Sequence, residues 1–174
     1  MNEAIRNIYE RRSCRSFFAQ QITEAELKEV LDAGMQAPSA MNQQSWFMVA
    51  IQNPEKVEAV RKLCVESCKM QPDANPFYGA PTIILVFGKQ GNIAPEKDAS
   101  LAMQNMMLAA QAMNLGSCWI NCVNPAFATE AGRAMAKEFG LPDGYAPVGS
   151  LALGLPSGVK PRDKQVLQNY VIVK

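Results

Sequence analysis

The feature of this sequence that most constrains its fold is the run Thr82-Ile83-Ile84-Leu85-Val86-Phe87. The run is apolar and rich in β-branched residues, with no polar residue at alternate positions. This pattern is typical of a β-strand that is covered on both faces. The run therefore predicts a fold that is layered around one sheet.

Helix and strand patterns alternate on both sides of this run. Predicted helices span residues 3–12, 23–35, 53–64, 98–114 and 129–139, and predicted strands span 46–51, 119–123 and 148–153, with a terminal edge strand at 170–173. The chain has no internal repeat and no linker long enough to separate two domains. Residues 1–174 are therefore predicted to form a single α+β or α/β domain around one mixed sheet.

Local signals mark several helix ends. Thr23-Glu24-Ala25-Glu26 has the capping-box pattern, and Asn53-Pro54 is typical of an N-cap followed by the first helical residue. Asp98 is the expected N-cap of the fourth helix, Gly116 its expected C-terminal stop, and Gly140 the stop of the fifth.

The fourth predicted helix is apolar nearly all round between Leu101 and Met113. Such a helix is either a buried spine or part of a subunit interface. The apolar segment Tyr170–Val173 offers a second surface for a partner, although both could also be covered within the monomer. Polar residues interrupt residues 99–115, so this stretch is not expected to span a membrane.

Composition excludes several classes of function. The chain has no histidine, which removes Ser-His and Cys-His catalysis, histidine zinc sites and imidazole acid–base chemistry. A net charge of +1 argues against binding to nucleic acid or to an anionic membrane. Five cysteines without a C-x-x-C pair, and a charged N-terminal segment, predict a cytoplasmic protein with reduced thiols and no metal site. A metal or redox role for Cys64/Cys68 and Cys118/Cys122 is the less favoured alternative.

Basic residues are concentrated in two short segments, Arg11-Arg12-Ser13-Cys14-Arg15 and Lys160-Pro161-Arg162. The sequence has neither a P-loop nor a G-x-G-x-x-G motif, so phosphate would be bound by side chains. Guanidinium, ammonium and hydroxyl donors that converge on one place suit a phosphate monoester. Each segment taken alone is more simply a solvated face.

The loop Ala37–Gln44 supplies polar groups beside Trp46. Ser39, Asn42 and Gln44 carry a hydroxyl and two amides, which suit the uracil-like edge of a heteroaromatic ring. A plain turn is the alternative interpretation of the same composition.

Arg11-Arg12-Ser13-Cys14-Arg15-Ser16-Phe17, followed by Ala37-Pro38-Ser39-Ala40-Met41-Asn42-Gln43-Gln44-Ser45-Trp46, resembles the nitroreductase family of FMN-dependent NAD(P)H oxidoreductases. The family patterns are R-R-S-x-R-x-F and A-P-S-x-x-N-x-Q-P-W, and Ser45 replaces the proline of the second. Some members place a lysine near the flavin N1 and O2, and residues 72–80 contain none. The resemblance covers roughly residues 4 to 163.

The resemblance implies an α+β, three-layer fold with a central mixed, mainly antiparallel sheet flanked by helices. It also implies an intertwined homodimer with FMN at the interface. The FMN-binding residues that it implies from one subunit are Arg11, Arg12, Ser13, Arg15, Lys160 and Arg162 around the phosphate, ribityl chain and ring edge, with Trp119 and Ile120 near N5 and Gly154 close to the cofactor. Those implied from the other subunit are Pro38, Ser39, Ala40, Asn42 and Gln44.

The implied activity is transfer of hydride from NADH or NADPH through flavin N5 to quinones, nitroaromatics or similar small electron-poor acceptors, by a ping-pong mechanism. FMN carries this chemistry, so no catalytic side chain is expected. One alternative is an FMN-binding storage or redox-sensing protein without substantial turnover. Another is a non-redox interaction protein that binds partners through its Met-rich helix.

Overall fold

The computed structural model describes residues 1–173. Helices α1 to α6 and strands β1 to β4 follow one another as α1 Glu3–Glu10, α2 Glu24–Met35, β1 Trp46–Ile51, α3 Pro54–Ser67, β2 Thr82–Lys89, α4 Pro95–Ala112, β3 Gly116–Ile120, α5 Val123–Ala128, α6 Glu130–Glu138 and β4 Tyr145–Gly154. A 3₁₀ turn, Ala40–Asn42, precedes β1.

The four strands form one sheet in the order β1-β2-β4-β3, and each neighbouring pair is antiparallel. Among residues 1–173 the sheet is therefore antiparallel, which corrects the expectation of a mixed sheet. Parallel pairing occurs there at one place, the isolated bridge between Ser13 and Ser117. The apolar run from Thr82 lies in β2, which is enclosed between β1 and β4.

Helices cover both faces of this sheet. On one face Ile83, Leu85 and Phe87 of β2 share a core with residues of α3, α5 and α6. On the other, Ile84 and Val86 share a core with residues of α2 and α4. This alternation along a fully buried strand explains why the sequence run has no polar positions, and the predicted three-layer α+β fold is confirmed.

Two predicted helix starts are confirmed. The Thr23 hydroxyl accepts from the backbone N–H of Glu26, whose carboxylate accepts from the backbone N–H of Thr23. The Asn53 side chain accepts from the Lys56 backbone N–H at 3.1 Å, with Pro54 as the first helical residue.

The predicted boundaries of α4 are wrong at both ends. The helix begins at Pro95, so Asp98 is inside its first turn, where it is buried, rather than at its N-cap. Pro95 can open the helix because its φ is already helical and no hydrogen-bond donor is needed there. At the C-terminus the left-handed residue is Asn114, with φ 58°, and Gly116 is already the first residue of β3.

The second half of the chain brings two further corrections. The strand expected at 119–123 is Gly116–Ile120, and it is followed by helix α5, which was not predicted. Residues 170–173 are not a strand: they are exposed and pair with no other segment of residues 1–173. An apolar run becomes a strand only where a neighbour completes its hydrogen bonds. The same described residues contain no helix that is both long enough and apolar enough to cross a bilayer.

Candidate active site

The first basic segment lies along β3. The backbone N–H of Cys14 donates to the Ser117 carbonyl at 2.9 Å, next to the parallel bridge between Ser13 and Ser117. This close approach depends on Gly116, because a Cβ there would lie 2.7 Å from the Cys14 sulfur. The glycine thus allows the segment Arg11–Arg15 to dock against the end of the sheet.

The side chains of this segment form a cationic cluster. The charges of Arg15 and Arg11 and the hydroxyl of Ser13 are close enough to Cys118 to affect its thiol. Burial raises the pKa of Cys118, and these three polar neighbours partly oppose the rise.

The three guanidinium groups have no carboxylate partner among residues 1–173, where the ion pairs involve Arg6, Lys28, Arg61 and Lys62. Arg12 instead donates to the carbonyls of Tyr9 and Arg11, and Arg15 lies 5.9 Å from the ring centroid of Tyr78. Cations that gather at one place without a carboxylate fit an anionic ligand.

The second basic segment, Lys160–Arg162, follows a contact between Ser157 and Ser16, the residue directly after the first segment. Ser157 donates through its backbone N–H to the Ser16 carbonyl at 3.1 Å and through its hydroxyl to Ser16 Oγ at 2.7 Å. Lys160 is three residues beyond this link, so its Cα lies within about 11 Å of that of Ser157. The structure thus anchors Ser157, three residues before Lys160, next to the residue that follows Arg15. Lys160 and Arg162 themselves are exposed and belong to no helix or strand.

The loop before β1 has an unusual backbone. Met41, Asn42 and Gln44 have φ values of 51°, 54° and 45°, in the left-handed region that side chains other than glycine rarely adopt. Such strain persists only where surrounding contacts hold it, and it is concentrated at functional sites.

Three contacts hold this loop in place. The backbone N–H of Ala40 donates to Asp98 Oδ1 at 3.0 Å, and that of Gln44 donates to the Ser39 hydroxyl at 2.9 Å. The Gln43 side chain accepts from the Ile93 backbone N–H at 2.9 Å. The loop is therefore fixed from α4 and from the turn that precedes it.

With its backbone fixed, the loop presents its side chains to solvent. Met41 is 83% exposed, Asn42 and Gln44 are exposed, and the Gln44 amide donates to Asn42 Oδ1 at 3.3 Å. Pro38 is also exposed, and Ser39 and Ala40 are half-buried. The loop is thus a preformed polar surface that points away from the core.

The remaining predicted residues lie on β3 and β4. Trp119 and Ile120 are adjacent in β3, so their side chains point to opposite faces of the sheet. Trp119 is 36% exposed, whereas Ile120 is buried in the core with α3, α5 and α6. A Cβ on Gly154 would lie 2.9 Å from Pro81 Cδ, so close packing within the protein already requires this glycine.

Sequence reasoning missed two residues that organise the site. Asp98 was assigned to a helix cap, and nothing local to it signals that its carboxylate accepts from the loop before β1. Its Oδ2 is buried and has no hydrogen-bond partner among the described residues. Ser157 gave no signal, because its role depends on a contact with Ser16 that is remote in sequence.

A three-layer α+β domain with a cationic cluster and a rigid polar loop has the features of a domain that binds an anionic, ring-containing cofactor. The chain belongs to the nitroreductase family, whose model matches residues 8–155. This confirms the family that the motifs predicted.

Solved and curated relatives agree with this assignment. The fold matches that of a nitroreductase with bound FMN from Bacteroides fragilis, with a TM-score of 0.92, 27% identity and complete coverage of both chains. A provisionally named NADH dehydrogenase/NAD(P)H nitroreductase of Archaeoglobus fulgidus is 28% identical over 163 residues, covering 92% of this chain and 89% of the relative. An FMN reductase (NADPH) of Bacillus subtilis is 27% identical over 184 residues, covering 93% and 70%.

Proposed function

We propose that this protein is an FMN-dependent NAD(P)H oxidoreductase that acts on quinones, nitroaromatics or similar flat, electron-poor compounds. The observation that carries the proposal is the hydrogen-bonded link between Ser16 and Ser157, which joins the end of the first basic segment to the residues just before the second. Family membership and the FMN-bound neighbour support the identity of the cofactor.

The residues present fit the phosphate end of FMN. Arg11 and Ser13 are half-buried beside β3, Arg15 is next to the Ser16 anchor, and Lys160 and Arg162 follow the Ser157 anchor. A phosphate monoester carries close to two negative charges and accepts several hydrogen bonds. The unpaired cations and the hydroxyl of this cluster would supply both the charge and the donors.

The loop Pro38–Gln44 suits the ring end of the cofactor in a second subunit. Asn42 and Gln44 carry amides that can donate and accept at the edge of a flavin ring. Because the loop backbone is already fixed, binding does not have to order that backbone, and only the side chains lose conformational freedom. Each subunit would thus give its basic cluster to one FMN and its polar loop to the other.

A homodimer is also supported by the apolar surface of the chain end. Val166, Leu167, Tyr170 and Ile172 are 71–77% exposed. By contrast Met103 and Met106 of α4 are fully buried, so that helix is covered within the monomer. An apolar tail that finds no place on its own subunit is suited to contact with another.

FMN, when bound, supplies the redox chemistry, since its N5 accepts hydride from NAD(P)H and returns it to the acceptor. The protein's part is to bind the phosphate, hold the ring edge and leave one ring face open. If nicotinamide and acceptor use that face in turn, turnover follows a ping-pong pattern. Binding and orientation of this kind need no imidazole, which agrees with a chain that has no histidine.

Spectroscopy and rapid kinetics test the proposal. The purified protein, reconstituted with FMN and freed of excess, should show flavin absorption bands at one FMN per chain. Mixing it anaerobically with NADH or NADPH in a stopped-flow instrument should bleach those bands at a rate that matches turnover. A protein that takes up no FMN would overturn the proposal. One that binds FMN but is not reduced would be a storage or sensing protein instead.

A further inference from the structure

The connection between α3 and β2 holds an aromatic ring against the first basic segment. The Arg15 guanidinium carbon lies 5.9 Å from the centroid of the Tyr78 ring, which is within the range of a cation–π contact. Tyr78 is 39% exposed, and Arg15 is exposed as well. The pair therefore lies at the surface, where a ligand can reach the guanidinium group.

The backbone at Tyr78 is strained. Its φ is 57°, in the left-handed region, where a bulky residue is a genuine outlier. Glycine or asparagine adopts this conformation at a lower cost, and the next residue, Gly79, is left-handed as well, with φ 77°. The turn alone therefore does not account for a tyrosine. Strain of this kind is concentrated at functional sites, so the ring itself is the feature to explain.

Contacts on both sides of Tyr78 hold this conformation. The Tyr78 backbone N–H donates to the Asn75 carbonyl at 3.0 Å, and the Ala80 N–H donates to the Phe77 carbonyl, also at 3.0 Å. Phe77 is buried in the core on the α3 face of the sheet, and its N–H donates to Asn75 Oδ1 at 3.0 Å. A buried ring thus anchors the turn from which the exposed ring projects.

The backbone around Arg15 is fixed as well. The Cys14 N–H donates to β3 at 2.9 Å, and the Ser16 carbonyl accepts from the Ser157 N–H at 3.1 Å. The part of Arg15 that stays free to move is therefore its long side chain. The Tyr78 ring restricts that side chain, because it attracts the guanidinium group to its face.

The N–H groups of the Arg15 guanidinium have no acceptor in the described part of the chain. Within residues 1–173 the guanidinium groups that donate hydrogen bonds are those of Arg12, Arg61 and Arg133. The ion pairs among these residues do not include Arg15 either. An aromatic ring attracts the cation without using its N–H groups, so these donors stay available for the oxygen atoms of a ligand.

We propose that Tyr78 is a positioning residue, which holds the Arg15 guanidinium so that its N–H groups meet an oxygen acceptor of FMN. The inference rests on the proposed function, because Arg15 belongs to the same basic cluster. The acceptor is an oxygen of the phosphate or a carbonyl oxygen of the ring, and both accept from a guanidinium in the same way. A side chain that is held in advance loses less conformational freedom on binding, and Tyr78 acts through this effect on Arg15.

Nuclear magnetic resonance of the apoprotein tests the contact without FMN. Protons of the Arg15 side chain that lie over the ring should resonate upfield of their positions in Tyr78→Leu, and Tyr78→Phe should keep the upfield shift. Tyr145→Leu is the matched control, because it makes the same change in a second ring, which lies 5.3 Å from Lys89 Nζ. It should leave the Arg15 resonances where they are. Arg15 resonances that are the same in Tyr78→Leu and in the natural protein would overturn the inference.

Fluorescence titration with FMN measures the effect on binding. Tyr78→Leu should weaken binding about two- to fivefold, the size of one exposed cation–π contact, and Tyr78→Phe should bind as tightly as the natural protein. In a chain that already carries Arg15→Gln, Tyr78→Leu should cause no further loss. Losses that add in the double variant, or an equal loss in Tyr78→Phe, would contradict a role that depends on the ring and acts through Arg15.

Tyr78→Gly separates the ring from the backbone strain. This variant removes the ring and also relieves the left-handed strain. It should unfold at a urea concentration no lower than that for Tyr78→Leu, and yet lose as much affinity for FMN. If Tyr78→Gly binds FMN as the natural protein does, the ring has no positioning role and the inference is wrong.

The same titrations with riboflavin, which lacks the phosphate, locate the acceptor. A loss in Tyr78→Leu with FMN alone places the acceptor on the phosphate, whereas a loss with both ligands places it on the ring, and either result supports the inference. A natural protein that binds no FMN would overturn both the inference and the proposed function. FMN that binds equally well to Tyr78→Leu would overturn the inference alone, and bound FMN that NAD(P)H does not reduce would overturn the proposed function alone.

Discussion

Ser157 and Ser16 are joined by two hydrogen bonds, one from backbone N–H to carbonyl at 3.1 Å and one between their hydroxyls at 2.7 Å. The residues are 141 positions apart in the chain. Their contact holds the residues that follow β4 against the segment that carries Arg15. The end of the first basic segment is therefore held next to the residues that lead into the second.

Neutralising the second basic segment should weaken FMN binding. Lys160→Gln and Arg162→Gln each remove a charged donor to phosphate, and we expect a loss of affinity of about tenfold for each, since such a bond contributes about 1.5 kcal/mol or more. Fluorescence titration of apoprotein with FMN measures the loss. Lys164→Gln, in the same exposed tail, is the matched control and should bind FMN as the natural protein does. Equal losses in all three would mean that net charge alone matters.

The carboxylate of Asp98 should hold the loop Ala37–Gln44 in its strained backbone conformation. Asp98→Ala leaves the Ala40 N–H without its partner, and we expect a loss of about 1–3 kcal/mol in the free energy of unfolding, with weaker FMN binding. Asp98→Asn keeps an oxygen for the same N–H and should recover most of the affinity. Urea unfolding and FMN titration of both variants provide the measurements. A loss in Asp98→Asn as large as that in Asp98→Ala would show that the charge, rather than the acceptor, is what counts.

Removal of the residues after Gly158 should leave the fold of the subunit intact and abolish the dimer. A chain that ends at Gly158 keeps α1 to α6, β1 to β4 and both hydrogen bonds of Ser157. We expect it to have the circular dichroism spectrum of the full chain but to be a monomer by light scattering and to bind FMN poorly. The double variant Lys160→Gln/Arg162→Gln in the full chain is the control, because it removes the charges and should still dimerise. A truncated chain that remains dimeric would place the interface elsewhere.

The capping box of α2 should make a pH-dependent contribution to stability. Hydrogen bonds from the backbone N–H and then the hydroxyl of Thr23 lower the pKa of Glu26 in the folded state. A lowered carboxyl pKa gives stability that is present above the unfolded value of about 4.3 and is lost as the pH falls through the folded value. Thr23→Ala should therefore cost about 1 kcal/mol at pH 7 and less in strong acid, as measured by urea unfolding.

Thr129→Ala is the matched control for that measurement. Thr129 caps α6 by accepting from the Gly132 N–H at 3.0 Å, and with glycine at this position no capping box forms. Its cost should be similar at pH 7 and should not change between pH 7 and pH 3. If the cost of Thr23→Ala is equally constant, the Thr23 hydroxyl does not contribute to the lowered pKa of Glu26, since the backbone N–H that also lowers it is kept in this variant.

Local patterns predicted those elements whose ends depend on neighbours in sequence. Thr23 and Glu26 are three residues apart, and the run that starts at Thr82 shows directly that both faces of β2 are covered. Boundaries that depend on remote contacts were wrong. Asp98 could cap a helix by its residue type, but its carboxylate accepts from Ala40, 58 positions earlier.

The candidate site shows the same difference between features that a local pattern predicts and features that depend on remote contacts. Arg11, Ser13 and Asn42 could be predicted as site residues because the motifs that contain them are short. The Ser16–Ser157 link joins segments that no local pattern connects. The tail was predicted as a strand from its composition, yet a strand also needs a neighbour, and residues 1–173 of one chain provide none.

The position of β4 has a consequence for how the chain is made. It is the last strand to be synthesised, yet it lies between β2 and β3, and β3 has no other strand partner in the described sheet. Until Gly154 has left the ribosome, β2 therefore keeps one edge open, with backbone N–H and C=O groups that have no partner strand. A nascent or prematurely terminated chain would expose an aggregation-prone edge that the finished protein conceals. Proteolytic fragments that end before Tyr145 should be insoluble for the same reason.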